Sequence, residues 1–413
     1  MKRLPVRPRP PRIHALILAV HLGLALSYAG LVGMAFARGE TWRADFTDYY
    51  TGALLIREGH GAALYDLDLQ GRRQRALLSG RHLYDGLLPY HHPPYVALLL
   101  SPLAALPLPV AFGVWTALNA LIWAGFLWDL GRWARPWGGT ARALTVSAVA
   151  ALPGVLFSFL LGASTVWTVV ALWGFYWALR TGREGAAGFY LALASVRPQA
   201  VLFPALLLFT IRKWRALSTF LGAVALLVGI SAWALGPAIW ADYLIVLGKA
   251  ATAFGRQGID PEAMVNLKGT LTRLLGPGHS AWINALSALG LALGMIAIVA
   301  LGRGSQPAGE ADFDRRFSGA MALGLFLSPH ANPQDGLLLA LPGIAGYAYL
   351  RRACPASGFL RAFEGIALGF PLLWLIERFA LGTNWSVILG SLALIGGCFV
   401  LRENSCRQTG GLR

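Results

Sequence analysis

The sequence predicts an all-α protein built as a polytopic bundle of transmembrane helices. Of its 413 residues, 56% are hydrophobic and only 13% are charged, whereas soluble proteins carry roughly a quarter charged. The mean hydropathy is +0.57, and the apolar residues gather in uninterrupted runs of the length, about 18 residues or more, that crosses a bilayer. A soluble globule is thereby excluded.

The segment from Ile13 to Phe36 is the first span, since it is longer than a signal-peptide core and no A-x-A-like cleavage site follows it. Lys2, Arg3, Arg7, Arg9 and Arg12 precede it without an acid among them, which assigns residues 1–13 to the cytoplasm. Residues 37–92 then form the first outer loop, with seven basic and seven acidic side chains in balance. Within it, Tyr50 to Ile56 and Leu69 to Leu78 mix apolar and charged residues in the manner of interfacial helices that rim a site. Residues 93–108 are too short and proline-rich to span, and read as a short helix dipping in from the outer face. Further spans are predicted at 109–129, 143–161, 163–179, 216–236, 280–301, 362–381 and 384–401.

Two stretches predict hairpins instead of spans. Residues 186–210 lie between Arg180/Arg183 and Arg212/Lys213/Arg215, and a break at Arg197-Pro198 keeps both basic clusters inside. Residues 318–350 lie between Arg315/Arg316 and Arg351/Arg352 and are interrupted by Ser328-Pro329-His330-Ala331-Asn332-Pro333-Gln334-Asp335. Such polar backbone at membrane depth must line a cavity or meet water. The whole of 14–403 reads as one membrane domain, followed by a cytoplasmic tail at 404–413. The net charge of +16 falls almost entirely on the segments assigned to the cytoplasm, so it marks topology and attraction to membrane lipids, and no nucleic acid partner is expected. Cys354, Cys398 and Cys406 form neither a zinc spacing nor a disulfide framework.

Three groups of polar residues carry candidate chemistry. Asp45 and Asp48, beside Tyr49, follow the first span closely; partial desolvation there would raise a carboxyl pKa toward that of a general base, and the alternative is a pair of solvated loop acids. His91 and His92 sit in Tyr90-His91-His92-Pro93-Pro94-Tyr95. Neighbouring residues seldom point at one ion and no acid stands at helical spacing, so metal is not expected; donors to a phosphate or sugar, or a structural proline turn, are the two readings left. Arg197, Lys268 in Asn266-Leu267-Lys268-Gly269, His330 and Asn332 form the third group. An arginine between apolar half-helices is expensive unless it meets an anion or an acid, so either a ligand binds it or a structural pair with Asp335 or a backbone carbonyl ties helices together.

The order Asp-Phe-x-x-Tyr-Tyr after the first span, then Tyr-x-x-Pro-Pro-Tyr with Leu-Ser-Pro-Leu-Ala-Ala-Leu-Pro, then Val-Arg-Pro-Gln, then Leu-Ser-Pro-His-Ala-Asn-Pro-Gln-Asp resembles glycosyltransferase family 87 over roughly residues 15–350. Its members are similar to the polyprenol-phosphate-mannose-dependent mannosyltransferases of bacterial envelopes. The resemblance implies a GT-C type glycosyltransferase of the plasma membrane whose site faces the periplasm. It further implies an inverting reaction, a polyprenyl-phosphate-sugar donor, and a lipid or glycan acceptor. The family's general base matches Asp45, and the basic residue of its lysine-proline motif matches Arg197. Where many members have Gly-Gln followed by Asn, this chain has Leu161-Gly162-Ala163-Ser164-Thr165, which changes the acceptor contacts.

No nucleotide-binding glycine loop occurs, and Asp66-Leu67-Asp68 reads as solvated charges, so no cofactor and no metal are expected. A membrane transporter or flippase of lipid-linked sugars is the alternative from another class, because carriers also use broken helices with buried charge. A noncatalytic scaffold is a third.

Overall fold

In a computed structural model, residues 12–40, 45–78, 87–252, 260–302, 309–355 and 357–400 are described; residues 1–11 of the basic N-terminus and the tail from 404 lie outside them. The described chain is helical throughout. In order the helices are α1 Arg12–Ala37, α2 Asp45–Arg57, α3 Leu67–Leu77, α4 Pro94–Leu100, α5 Leu108–Trp133, α6 Gly139–Ala150, α7 Pro153–Leu161, α8 Thr165–Arg180 and α9 Glu184–Leu193. There follow α10 Pro198–Thr210, α11 Trp214–Leu235, α12 Ile239–Thr252, α13 Leu267–Leu275, α14 Ser280–Gly302, α15 Glu310–Phe326, α16 Ala340–Ala353, α17 Gly358–Ile376 and α18 Trp385–Val400. Prolines open α4, α7 and α10, where a fixed φ and a missing N–H cost a first turn nothing.

Among the described residues, six stretches are long and apolar enough to cross a membrane: α1, α5, the α6–α7 pair, α11, α14 with the turn before it, and α17 with the turn after it. Their outward leucines, isoleucines and tryptophans are exposed, among them Leu26, Leu121, Trp233 and Ile296, as suits helices whose solvent is lipid. Polytopic membrane architecture is thus present as the sequence predicts. The expected span at 143–161 is broken between Ala150 and Pro153, because a proline cannot continue the helix that precedes it.

The core lies inside that outer set. It is built from α8, α9, α10, α15 and α16, and α8 is only sixteen residues long, about 24 Å of helix against a hydrocarbon layer of about 30 Å. Both expected hairpins form. Lys213 after α10 pairs with Glu184 at the start of α9 at 3.0 Å, so the two ends of the first hairpin meet. Arg352 of α16 pairs with Asp314 of α15 at 2.6 Å, which closes the second in the same way. Arg180, at the C-terminal end of α8, adds a 2.9 Å contact to Asp314 and joins the hairpin bases to α8.

The packing of α9 on α11 relies on a missing side chain. A Cβ at Gly188 would collide with the Ala216 carbonyl oxygen, which is backbone and cannot yield. Gly188→Val is expected to destabilise the fold by about 1–3 kcal/mol, read as a lower unfolding temperature in detergent, while Gly185→Val, in open space, leaves it unchanged.

Two expectations are corrected. The segment Tyr50 to Ile56 is not a helix lying along the interface: α2 is largely buried, with Phe46, Tyr49, Ala53 and Leu55 nearly inaccessible. Its charged residues sit at its ends, so its middle is apolar enough to enter the core. Cys354 is disulfide-bonded, which the cysteine spacing did not lead one to expect, and Cys398 is free and buried.

Candidate functional site

At the end of α8 remote from the hairpin bases, five parts of the chain converge. The first is the N-terminal turn of α2, which carries Asp45, Asp48 and Tyr49. The second is the segment 90–93, held from α3: Gln70 Oε1 accepts from Tyr90 N at 2.8 Å, and Gln74 accepts from and donates to Leu88 at 2.9 and 2.7 Å. Both glutamines are fully buried, so α3 clamps the histidine segment where the sequence led one to expect a rim. Tyr65 and Tyr90 donate their hydroxyls to the carbonyls of His92 and Pro93 at 2.6 and 2.9 Å. Asp66 accepts from Leu69 N as the cap of α3, which gives the Asp66-Leu67-Asp68 pair a structural role.

The third and fourth parts are the hairpin breaks. Arg197 has extended backbone, φ −122°, as a residue before proline must, and its side chain turns into the site with only 8% exposure. It pairs with Asp335 and donates from Nε to Ser164 Oγ at 3.0 Å. Asp335 also accepts from Thr165 Oγ1 at 3.1 Å and from Asn332 N at 3.0 Å. Its neighbour Gln334 donates from Nε2 to Asp45 Oδ2 at 2.8 Å. One step of the second break therefore touches both the acid of α2 and Arg197. Asn332 donates to His330 Nε2 at 3.2 Å.

The fifth part is the turn before α13. Asn266 caps that helix through Gly269 N at 2.8 Å and donates to Ser328 O at 2.8 Å, and Val265 N donates to Ala331 O at 2.8 Å. This turn braces the second break. Lys268 is buried and donates to Ala251 O at 2.8 Å, close enough to His330 to act on its charge.

The electrostatics follow from burial. Asp45 is pushed up to about 7 by desolvation first and by Asp48 second; Asp48 is pushed up to about 7 by desolvation, against the opposing pull of His91 and Arg197. Burial lowers His92 and His330 to about 3 and lowers His91, so all three imidazoles are neutral at pH 7. Lys268 is lowered to about 8 by burial. Such values suit proton transfer near neutrality.

All nine candidate residues thus lie in or against one site, with different degrees of freedom. Tyr49 is spoken for, its hydroxyl bonded to Ser164 Oγ at 2.8 Å and its ring stacked on His92 at 4.3 Å. The pair of Arg197 with Asp335, one of two readings of that arginine, forms. Ser164, Thr165 and Gln334 are site residues that sequence reasoning missed. Ser164 and Thr165 stand at the departure from the family pattern, the one signal that pointed to them.

An apolar groove of about 630 Å³ runs between α1, α5 and α7. Phe36 at its end stacks on Phe112 at 6.0 Å, and Phe112 meets Phe46, next to Asp45, edge-on at 5.3 Å. The groove and the polar site are joined by that aromatic row.

Residues 90–329 match the model of glycosyltransferase family 87, a stretch that takes in His91, His92, Arg197 and Lys268 and leaves Asp45 and the Gln334-Asp335 step outside. No curated protein matches the chain.

Proposed function

From the premise that the chain belongs to glycosyltransferase family 87, we propose that it moves a sugar, mannose in the first instance, from a polyprenyl-phosphate donor to a hydroxyl of an envelope lipid or glycan. The reaction runs with inversion at the outer face of the plasma membrane. One observation carries the reading: adjacent residues, Gln334 and Asp335, hold Asp45 and Arg197, so a base and a cation stand on either side of one turn.

In the displacement, the acceptor oxygen bonds to the anomeric carbon as the bond from that carbon to the phosphate oxygen breaks. Asp45 takes the acceptor's proton, and the polyprenyl phosphate leaves with the electron pair. Arg197 shares its guanidinium between Asp335 and the phosphate, a planar fork suited to both. Neutral His330 donates a hydrogen bond, and Lys268 adds positive potential behind it. Asp48 tunes Asp45 through its charge. The groove between α1, α5 and α7 takes the polyprenyl chain, whose apolar surface it matches.

The test is transfer of label from polyprenyl-phosphate-mannose to membrane extract of a strain lacking the protein, by purified enzyme. Transfer supports the reading. Passage of the intact lipid-linked sugar between leaflets without transfer overturns it in favour of a carrier. The groove has its own test: Gly33, with open space where a Cβ would stand, becomes Gly33→Leu. That variant is expected to raise KM about tenfold for a long-chain donor, leaving a short-chain analogue unaffected.

A further inference from the structure

The adjacent histidines were not expected to face one ion. They do face one acid. The backbone bends at His92, so the two rings stack on the same side, 4.9 Å apart and 24° from parallel, where an extended strand would send them to opposite faces. Asp48 arrives from α2, more than forty residues away, and its Oδ2 lies 3.5 Å from His92 Nε2. One ligand atom from each of Asp48, His91 and His92 lies within 4.8 Å of the other two.

Three further features fit a metal centre. Asp48 is 5% exposed and its Oδ1 has no hydrogen-bond partner among the described residues, an unusual state for a buried carboxylate oxygen. His91 Nδ1 lies 2.8 Å from Pro89 O; a carbonyl only accepts, so Nδ1 carries the proton and Nε2 offers its lone pair. His92 is held by the Val196 backbone. Backbone carbonyls orienting imidazoles from behind are how metal-ligating histidines are fixed, and the clamp by Gln70 and Gln74 holds the segment that carries both.

We propose that Asp48, His91 and His92 form a binding site for one divalent transition-metal ion of the zinc type. Imidazole and carboxylate are its preferred donors. Ligand atoms about a tetrahedral ion stand about 3.3 Å apart, so the Asp48–His92 separation already fits, and the widest separation closes by about 1.5 Å through side-chain rotation. Arg197 faces the same cluster, with its charge balanced by Asp335, and Asp45 adds a second acid beside Asp48. Three protein ligands leave a fourth position for water or a substrate oxygen.

Binding is read without any transfer assay. Full-length protein in detergent, stripped with a chelator, is titrated with Zn2+ and with Co2+, following metal content and the visible absorption of Co2+. The expected result is one ion per chain, with affinity lowered at least tenfold in Asp48→Asn, His91→Asn and His92→Gln. The exposed control His279→Ala is expected to leave it unchanged. No retained ion, or retention undiminished in the triple variant, overturns the proposal. If a variant does not fold, the Co2+ spectrum of the unsubstituted protein decides: nitrogen–oxygen ligation without a thiolate charge-transfer band supports the site, and a thiolate band overturns it.

Discussion

Asp45→Asn is expected to lower kcat for sugar transfer about 1000-fold while leaving KM for the donor and, at pH 5 where Asp45 is protonated, the unfolding temperature close to those of the unsubstituted protein. A general base contributes typically 10²–10⁴-fold, and an amide oxygen still accepts the 2.8 Å hydrogen bond from Gln334 Nε2, so the local frame stays satisfied. The same residue sets a pH profile. A base works only when ionised, and burial has moved Asp45 up to about 7, so kcat/KM should fall about tenfold per unit as the pH drops below 7. Stability runs the other way. A carboxyl whose folded pKa is raised favours the fold when protonated, and that contribution is lost as pH rises from about 4 through 7. The unsubstituted protein and Asp45→Asn should therefore unfold at matching temperatures at pH 5, with the unsubstituted protein falling below the variant by pH 8, while the buried neutral histidines shift both alike. An Asp45→Asn variant with full activity would remove this residue from the chemistry.

The second large effect is expected at Arg197. Arg197→Met preserves bulk but strips Asp335 of its cation, leaving the carboxylate with Thr165 and the Asn332 N–H. Removing one partner of a buried pair costs about 3–5 kcal/mol, so the variant should be poorly folded. Adding Asp335→Asn removes the stranded charge and should restore the unfolding temperature. Transfer should not return, because a phosphate would still lack its cation. Recovery of both stability and transfer in the double variant would show that the pair only ties helices together. Arg197→Lys, which restores the basic residue of the family's usual motif, should be intermediate, since an ammonium cannot fork between Ser164 and Asp335.

The hairpins were legible in the sequence because prolines and polar residues interrupt stretches otherwise apolar enough for a bilayer, and because the flanking arginines forbid a straight crossing. The long helices were legible from length and composition alone. What was not legible depended on distant residues meeting. The charged ends of α2 hide an apolar middle, and two glutamines on α3 gave no sign that they would clamp the chain at Leu88 and Tyr90. In the site, the acids and Arg197 stood out because ionisable groups near lipid are costly. Ser164 and Thr165 did not, since small hydroxyls are at home in apolar helices; Gln334 and Asp48's approach to the histidines are products of the fold.

The pairing of Arg197 with Asp335 has a consequence for synthesis. The two residues are 138 positions apart, and chains elongate at about 5–20 residues per second. The first hairpin thus emerges with its arginine and waits about 7–28 seconds before its counter-ion exists. During that interval the arginine has the Ser164 hydroxyl but no carboxylate to meet its charge, an arrangement costlier than the finished pair. Biogenesis of this protein is therefore a two-stage event, in which the earlier hairpin is completed by the later one.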